Sequence, residues 1–281
     1  FYAEKNPADS ETEREGAVCM TRLDVLLLQR GLVRSRQRAK DLITNGQIQV
    51  DGVVCTKPAK LTEETAALTL LGEDLRYVGR GGLKLEWILE QQNLSLEQAT
   101  CMDIGASTGG FTDCMLQHGA KKVYAVDVGH GQLADSLRQD ERVVCMEGTD
   151  IRTLPQTAIA EPIDFISVDV SFISLERILP DICRFLSDTG RAVLLIKPQF
   201  EAGRSDVGKN GIVRSKNVHV RVLRTVCMAL EQQGLHIQYL CPSPIRGGSG
   251  NIEYLVQVQR GNVSPIPYAP EAVAEQAWSQ K

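Results

Sequence analysis

The chain has 281 residues, of which 43% are hydrophobic and 23% are charged. This length allows two domains of ordinary size, and the composition is typical of a folded globular protein rather than a disordered one. No apolar run approaches the ~20 residues that span a bilayer, and the sequence does not open on a signal-peptide pattern. We therefore expect a cytoplasmic protein without a membrane segment.

Eight cysteines are present, but no two of them form a C-x-x-C pair. Structural zinc sites usually contain such pairs, so we predict no metal site. Several cysteines lie within apolar segments, as Cys145 does between Val144 and Met146. This placement is typical of reduced, buried thiols in a cytosolic protein.

Charge is distributed unevenly along the chain. The whole sequence carries a net charge of −4, whereas basic residues clearly outnumber acidic ones between residues 22 and 60. Because attraction to phosphate is local, a basic module on an acidic body can still bind RNA.

Residues 1–20 are polar, acidic and without periodicity, and we predict an unstructured extension. Residues 21–71 resemble a small α+β module. A capping-box-like spacing of Thr21 and Asp24 predicts the start of a first helix. A second helix is expected after Ser35, and Asp51-Gly52 predicts a turn between two short strands.

Basic residues cluster on the second predicted helix of this module. Arg36 and Lys40 are four residues apart and therefore share one helix face. A solvated helix face is the alternative, but the density of cations beside a hairpin favours RNA binding. We predict RNA contacts from Arg22, Arg34, Arg36, Arg38, Lys40 and Arg80.

A glycine-rich linker is expected over residues 72–83, a catalytic domain over 84–261 and a loosely held tail over 262–281. Strands and helices alternate in the catalytic domain, which predicts an α/β fold with a mostly parallel sheet covered on both faces. The last two strands have no helix between them and should form a hairpin at the sheet edge. Strands are predicted near 100–104, 122–126, 142–146, 163–168, 191–196, 235–240 and 252–259, and helices near 110–118, 131–138, 174–186 and 216–232.

A glycine-rich turn, Asp103 to Phe111, follows the first of these strands and precedes a helix. Glycines at this position let the backbone approach a nucleotide cofactor, but the G-x-x-x-G-G pattern fits a dinucleotide poorly. Asp127 and Asp150 follow the next two strands, where they could meet a ribose and an adenine. A structural turn with two surface acids is the alternative. The predicted cofactor residues are Asp103, Gly105, Ser107, Gly109, Gly110, Phe111, Asp127, Asp150 and Asp169.

Three further charged residues stand at strand ends. Asp169 ends the fourth strand, at the switch point where ligands bind in such sheets. The sequence there is Asp-Val-Ser-Phe, which differs from the Asn/Asp-Pro-Pro-aromatic motif of enzymes that methylate base amines. No cysteine ends the fourth or fifth strand, as methylation at carbon 5 of a pyrimidine would require. Lys197 ends a very apolar strand, and Glu253 opens another.

Lys84, Asp169, Lys197 and Glu253 resemble the Lys-Asp-Lys-Glu tetrad of FtsJ-type 2′-O-ribose methyltransferases. The run from Arg22 to Gln259 is similar to the TlyA family, whose members often carry the name hemolysin A, and its first part resembles an S-four RNA-binding domain. The matching stretches are Arg22–Leu27, Arg80–Lys84, Asp103–Phe111, Lys197–Glu201, Gly208–Val213 and Gly250–Glu253.

This resemblance implies a Rossmann-like class I methyltransferase that uses S-adenosylmethionine on ribosomal RNA or ribosomal subunits, without a metal. A neutral lysine near a ribose hydroxyl can accept its proton. By this resemblance Lys197 is the base, Lys84 its electrostatic partner in the same pocket, Asp169 an orienting group and Glu253 the holder of one lysine. An RNA-binding assembly factor that keeps the fold, and a membrane-active hemolysin, are the alternatives.

Overall fold

The computed structural model describes residues 19–33, 36–44, 46–71, 76–248, 250–264 and 266–279. The chain divides into two compact units, Phe1–Asp74 and Leu75–Lys281. Each unit has its own buried apolar cluster and is described by itself.

The first unit is a small α+β domain whose helices pack on short antiparallel strands. Leu27, Ile43 and Ile48 are completely buried in its core. Strand β1 pairs with β4, and β2 lies between β3 and β5. The elements are β1 (Met20–Arg22), α1 (Leu23–Gln29), α2 (Arg36–Thr44), β2 (Ile48–Val50), β3 (Val53–Cys55), β4 (Leu61–Glu63) and β5 (Leu68–Leu70).

The predicted capping box at the start of the first helix is wrong. Thr21 lies in β1, and α1 begins after Arg22 without a side-chain cap. The Asp24 carboxylate instead accepts hydrogen bonds from Arg22 and Arg36. The carboxylate of Asp24 therefore binds two guanidinium groups and takes no part in a capping box.

The second unit is a seven-stranded sheet covered by helices, with strand order β11-β12-β10-β9-β6-β7-β8. Its strands are β6 (Thr100–Ile104), β7 (Lys122–Asp127), β8 (Val143–Glu147), β9 (Ile163–Val168), β10 (Leu186–Ile196), β11 (Leu235–Pro242) and β12 (Tyr254–Arg260). Its α-helices are α3 (Gly81–Gln91), α4 (Gly110–Gln117), α5 (Asp135–Arg138), α6 (Leu179–Phe185), α7 (Pro198–Glu201), α8 (Lys216–Gln232) and α9 (Pro270–Ser279).

Five neighbouring strands of this sheet, β10, β9, β6, β7 and β8, are parallel. Strand β12 is antiparallel to both β10 and β11, which confirms the predicted hairpin at the edge. Residues 192–196 of β10 are all buried, as expected for a parallel strand covered on both faces. The strand order reverses between β6 and β9, so the switch point lies there.

Two predicted helices are shorter than expected. Residues 131–134 form a loop before α5, in which the backbone amides of Gln132 and Leu133 donate to the Glu147 carboxylate. The segment predicted as one helix over 174–186 is a 3₁₀ turn, Leu175–Arg177, followed by α6. Pro180 lies in the first turn of α6, where its missing N–H starts a new helix at little cost.

The second unit extends further in both directions than we expected. Residues 262–281 were predicted to be a loosely held tail, and this is wrong for α9, whose residues Val273, Ala274 and Ala277 are buried. The apolar spacing of these small residues is helical, but alanines carry a weak hydrophobic signal. At the other end, α3 begins at Gly81, and Tyr77 is buried with its hydroxyl donating to Glu86.

Candidate active site

A cleft of about 570 Å³ opens at the carboxyl ends of β6, β7, β8 and β9, beside the switch point. Five of the residues predicted to hold a cofactor line it. They come from four different strand–loop junctions, which the parallel sheet brings to one edge. These residues are Gly105, Ser107, Asp127, Asp150 and Asp169.

Gly105 allows the glycine turn to touch the end of β9. Its φ is +87°, and a Cβ built on it would lie 2.5 Å from the backbone oxygen of Asp169. Only glycine tolerates both this backbone conformation and this close approach. The turn therefore holds the loop that carries Asp169 against the cleft.

Asp127 is fixed by backbone amides at the wall of the cleft. Its Oδ2 accepts from the Ser107 N–H and its Oδ1 from the Gly129 N–H, each at 2.7 Å. An ionised carboxylate can accept about four hydrogen bonds, so positions remain for ligand hydroxyls. Asp150 is paired with Arg152 at 2.6 Å, and hydrogen bonds from that guanidinium lower the pKa of Asp150.

The other predicted cofactor residues lie behind the wall of the cleft. Asp103 is completely buried and accepts from Thr112 Oγ1 at 2.7 Å and from Ser167 Oγ at 2.9 Å, and burial raises its pKa to about 6. It thereby joins β6 to α4 and β9. Gly109 has no room for a side chain beside Leu137. Gly110 packs against the backbone of residues 79–82, and Phe111 is buried in the core.

The tetrad residues form two separate lysine–carboxylate pairs. Lys84 Nζ, on α3, lies 2.6 Å from Glu253 Oε2, just before β12. Lys197 Nζ, just after β10, lies 2.6 Å from Asp169 Oδ1, just after β9. Both lysines are buried, at 7% and 9% exposure. Each lysine thus has a carboxylate of its own. Glu253, which we expected to hold one of the two lysines, holds Lys84, and Asp169 pairs with Lys197.

The two pairs belong to the same edge of the sheet. Helix α3 begins beside the cleft, since a Cβ on Gly81 would lie 3.8 Å from Asp169 Oδ2. Lys84 is one turn further along α3. The Lys197 amine also donates to Ser171 Oγ at 3.0 Å and lies 5.9 Å from the centre of the Phe200 ring.

Phe172 and Phe200 form an aromatic pair beside Lys197 that the sequence patterns did not predict. Phe172 lines the cleft, is 91% exposed and has a φ of +65°, which is costly for a non-glycine residue. Its ring centre lies 5.1 Å from that of Phe200. In the sequence, Phe172 only marks a departure from the Asn/Asp-Pro-Pro-aromatic motif. A large aromatic side chain held in solvent at a cleft is suited to stacking on a planar ligand.

Glu201 ties together the two loops that carry these groups. Its carboxylate accepts from Ser174 Oγ at 2.7 Å and from the Leu175 N–H at 2.9 Å. Burial raises the pKa of Glu201, while these two hydrogen bonds oppose the shift. The loop after β9 and the helix after β10 are therefore joined by a half-buried polar contact.

The predicted RNA-binding residues differ in their surroundings. Arg22 and Arg36 bond the buried Asp24, and hydrogen bonds led by Arg22 lower the pKa of Asp24 to about 2. The two guanidinium groups remain about half exposed. Arg38 and Lys40 lie half-buried on α2, Arg80 is exposed just before α3, and Arg34 lies outside the described residues.

Cations without a carboxylate partner in the second unit lie mainly at the carboxyl edge of the sheet. Within the described part of the second unit, most lysines and arginines form ion pairs. Those that do not are Arg80, Arg177, Arg204, Lys209, Arg214 and Arg246 on loops at the carboxyl edge of the sheet, and Lys121 and Arg191 at the opposite edge. The exposed positive charge is thus concentrated on the side of the tetrad.

Two absences concern the described residues. None of their helices has the length and apolar character needed to cross a membrane. Their histidine, cysteine, aspartate and glutamate side chains do not assemble into a group of three or more that could hold a metal ion.

Comparisons with known proteins agree with this geometry. Residues 77–260 match the FtsJ-like methyltransferase family, and residues 21–64 match the S4 domain. The chain is 42% identical over 236 residues to the 16S/23S rRNA (cytidine-2′-O)-methyltransferase TlyA of Mycobacterium tuberculosis, covering 84% of this chain and 88% of that protein. It is 43% identical over 235 residues to Hemolysin A of Brachyspira hyodysenteriae, covering 83% of this chain and 98% of that protein.

A solved structure from Streptococcus thermophilus, named as a hemolysin, has the same architecture. It matches with a TM-score of 0.75 and 46% identity, over 94% of this chain and 98% of that one. The similarity therefore extends over both units and includes the stretches that carry the tetrad. The chain belongs to the FtsJ-like methyltransferase family, among the relatives named TlyA and hemolysin A, with an S4 domain ahead of the methyltransferase fold.

Proposed function

We propose that this protein transfers a methyl group from S-adenosylmethionine to a ribose 2′-hydroxyl of ribosomal RNA in the cytoplasm. The observation that carries the proposal is the pair of buried lysine–carboxylate contacts, Lys197–Asp169 and Lys84–Glu253, at the edge of a nucleotide-sized cleft. The name of the Mycobacterium tuberculosis relative, at 42% identity, specifies the same reaction for that protein.

The cleft suits an adenosine-containing cofactor. Asp127 is held in place by two amides and retains acceptor positions for the two hydroxyls of a ribose. The backbone turn at Gly105 and Ser107 leaves room for close approach of a ligand. S-adenosylmethionine would supply an electrophilic methyl group, so this chain's residues have only to place and deprotonate the acceptor.

Lys197 is the proposed acceptor of the ribose proton. A 2′-hydroxyl is a weak acid, so its attack is aided by a base within hydrogen-bond reach. Lys197 in its neutral form would take the proton on Nζ as the oxygen–methyl bond forms, and would later release it to solvent. Asp169 holds the amine beside the cleft and stabilises the ammonium group that forms. Lys84, held by Glu253, adds a positive charge at the same edge.

The charges and aromatic rings around the cleft suit RNA. Exposed cations without carboxylate partners, such as Arg177 and Lys209, can contact phosphates. Phe172 and Phe200 offer a ring face on which an unstacked base can lie. The cations of α2 in the S4 domain would add affinity for RNA phosphates.

The proposal is tested with ribosomal subunits and isotopically labelled S-adenosylmethionine. We expect label to enter ribosomal RNA at a defined nucleotide and to resist base removal, because it lies on the ribose. The matched control is Lys197→Ala, which should bind the cofactor but transfer no label. Label on a base, or cofactor binding without any transfer to either subunit, would contradict the proposed reaction and favour an assembly factor.

A further inference from the structure

We propose that Ser171 is a positioning residue that aims the lone pair of the Lys197 amine at the acceptor hydroxyl. This inference rests on the proposed function, because it assigns a role in the proton transfer from ribose. Lys197 Nζ contacts both Ser171 and Asp169.

Ser171 and Asp169 contact the amine in different ways. Ser171 Oγ accepts a hydrogen bond from Lys197 Nζ at 3.0 Å with favourable angles. Asp169 Oδ1 is closer, at 2.6 Å, and contacts the amine as an ion pair through a buried oxygen. Asp169 therefore holds the amine by an ion pair, and Ser171 accepts a hydrogen bond from a second direction.

Direction matters because a neutral amine is an efficient base along one axis only. Its nitrogen has two N–H bonds and one lone pair, which can exchange places by rotation about the Cε–Nζ bond. An N–H donated to Ser171 occupies one of these positions. At the second position around the nitrogen, the Asp169 carboxylate attracts an N–H and repels the lone pair. The lone pair is then confined to the third position, which remains for the 2′-hydroxyl.

The loop that carries Ser171 is fixed well enough to impose this orientation. The Leu175 N–H of the same loop donates to the half-buried Glu201 carboxylate, and Ser174→Ala leaves this contact in place. Phe172, the residue after Ser171, is held at a φ of +65° against the Phe200 ring. Ser171 itself is exposed and lines the cleft, so its hydroxyl reaches Lys197 from the side of the ligand.

Three variants of the full chain test the inference. Ser171→Ala removes the hydroxyl, and Ser171→Thr keeps it with a methyl group that the exposed position can accommodate. Ser174→Ala is the matched control, because it removes a hydroxyl of the same loop that contacts Glu201 instead of Lys197. Single-turnover methylation at saturating RNA and cofactor is compared with the dissociation constants of both ligands.

We expect Ser171→Ala to lower the single-turnover rate about 10- to 100-fold, the size of effect that misplacement of a reacting group produces. Both dissociation constants should change by less than about twofold, and Ser171→Thr should keep most of the rate. Equal losses in Ser171→Ala and Ser174→Ala would show an effect of loop position and overturn the inference. So would an undiminished rate in Ser171→Ala, or a loss in Ser171→Thr as large as in Ser171→Ala. A wild-type protein that methylates no ribosomal RNA would instead overturn the proposed function.

Discussion

Lys197 combines burial with two polar contacts that differ in kind. Lys197 directly follows β10, whose last residues are apolar, and its side chain is buried there. A charged group in such surroundings loses most of its hydration. The Asp169 ion pair offsets this loss, and the Ser171 hydroxyl satisfies one N–H direction. The same residue could not serve as a base if it were permanently charged, which leads to the first prediction.

Lys197→Ala should lower methyl transfer by roughly 10²- to 10⁴-fold, the usual contribution of general-base catalysis. Lys197→Arg should fail to restore the rate, because a guanidinium stays protonated at any usable pH. Single-turnover rates on ribosomal RNA across pH, together with calorimetric cofactor affinity, provide the measurement. Near wild-type turnover by Lys197→Arg would show that the residue contributes charge only, and Lys84 would become the candidate base.

Gly105 and Gly131 allow a matched comparison of backbone strain with steric overlap. Both have positive φ, but a Cβ would strike the Asp169 backbone at Gly105 and meets nothing within 4 Å at Gly131. Gly131→Ala should cost roughly 1–2 kcal/mol, the penalty for an L-residue in this conformation. Gly105→Ala should cost more and should also weaken cofactor binding by displacing the Asp169 loop. Chemical unfolding measures both costs. Equal losses of unfolding free energy in the two variants would show that the structure relieves the steric overlap at Gly105.

At the scale of elements, the loops that follow α7 and β11 lie at the carboxyl edge of the sheet, on the same side as the tetrad. Asn251 joins them, since its Oδ1 accepts from the Val213 N–H at 3.2 Å and its Nδ2 donates to the Gly211 oxygen at 2.8 Å. The segment from residue 203 to residue 215, which carries exposed cations, is thereby joined to the loop that precedes Glu253. Sequence patterns predicted the strands on either side, but a loop's position depends on such contacts.

The double variant Lys209→Ala/Arg214→Ala should weaken binding of ribosomal RNA without changing cofactor affinity. Each lost phosphate contact should reduce the slope of log affinity against log salt by about one. Lys121→Ala/Arg191→Ala is the matched control, because it removes one lysine and one arginine without carboxylate partners from the opposite edge of the sheet. Titrations at several salt concentrations decide the matter. Equal effects of the two double variants would mean that the carboxyl edge of the sheet contributes no more to RNA binding than the opposite edge does.

Helix α9 places Trp278 against a buried histidine. The rings of His219 and Trp278 lie 4.5 Å apart, and His219 also contacts Tyr254 Oη at 2.9 Å and the Val213 oxygen at 3.1 Å. Burial lowers the pKa of His219, so the unfolded chain binds a proton at higher pH than the folded protein does. This histidine therefore removes stability as pH falls below its unfolded pKa of about 6.5.

The free energy of unfolding of the wild-type protein should fall more steeply from pH 7.5 to 5.5 than that of His219→Gln. The difference in slope can reach about 1.4 kcal/mol per pH unit for one proton. Asp103 acts in the opposite sense, because its raised pKa stabilises the folded protein as pH falls, so only the difference between the two proteins isolates His219. Chemical unfolding at fixed pH values gives both slopes, and parallel curves would contradict this assignment.

At the scale of the molecule, two units with separate cores divide the proposed work. The first unit carries clustered cations on α2, and the second carries the cleft and both lysine–carboxylate pairs. The sheet and helices of the second unit bury their own apolar residues, so the unit has the core that independent folding requires.

Removal of residues 1–71 should therefore weaken RNA binding and flatten its salt dependence while cofactor affinity persists. The reason is that fewer phosphate counterions are released when the cations of the first unit are absent. Calorimetry with S-adenosylmethionine and salt-dependent RNA titrations of the shortened chain provide the two readouts. Full RNA affinity with an unchanged salt slope would assign the binding entirely to the second unit.

Periodicity and strand-end residues were sufficient to predict the α/β class, the mostly parallel sheet, the edge hairpin and the approximate course of every strand of that sheet. These features depend on patterns within short segments, which are visible in a single sequence. The resemblance to a family then pointed to Lys84, Asp169, Lys197 and Glu253 as one set. It could not say which carboxylate would hold which lysine.

Tertiary structure decided the features that depend on groups distant in the chain. The pairing of Lys84 with Glu253 joins residues 169 positions apart, and local sequence carries no record of such a contact. The missing side chain of Gly109, a predicted cofactor residue, also makes room for Leu137. Ser171, Phe172 and Glu201 acquire their roles only when the ends of β9 and β10 lie side by side. The sequence by itself determined the elements and the candidate chemistry, while packing selected the partners of each reactive group.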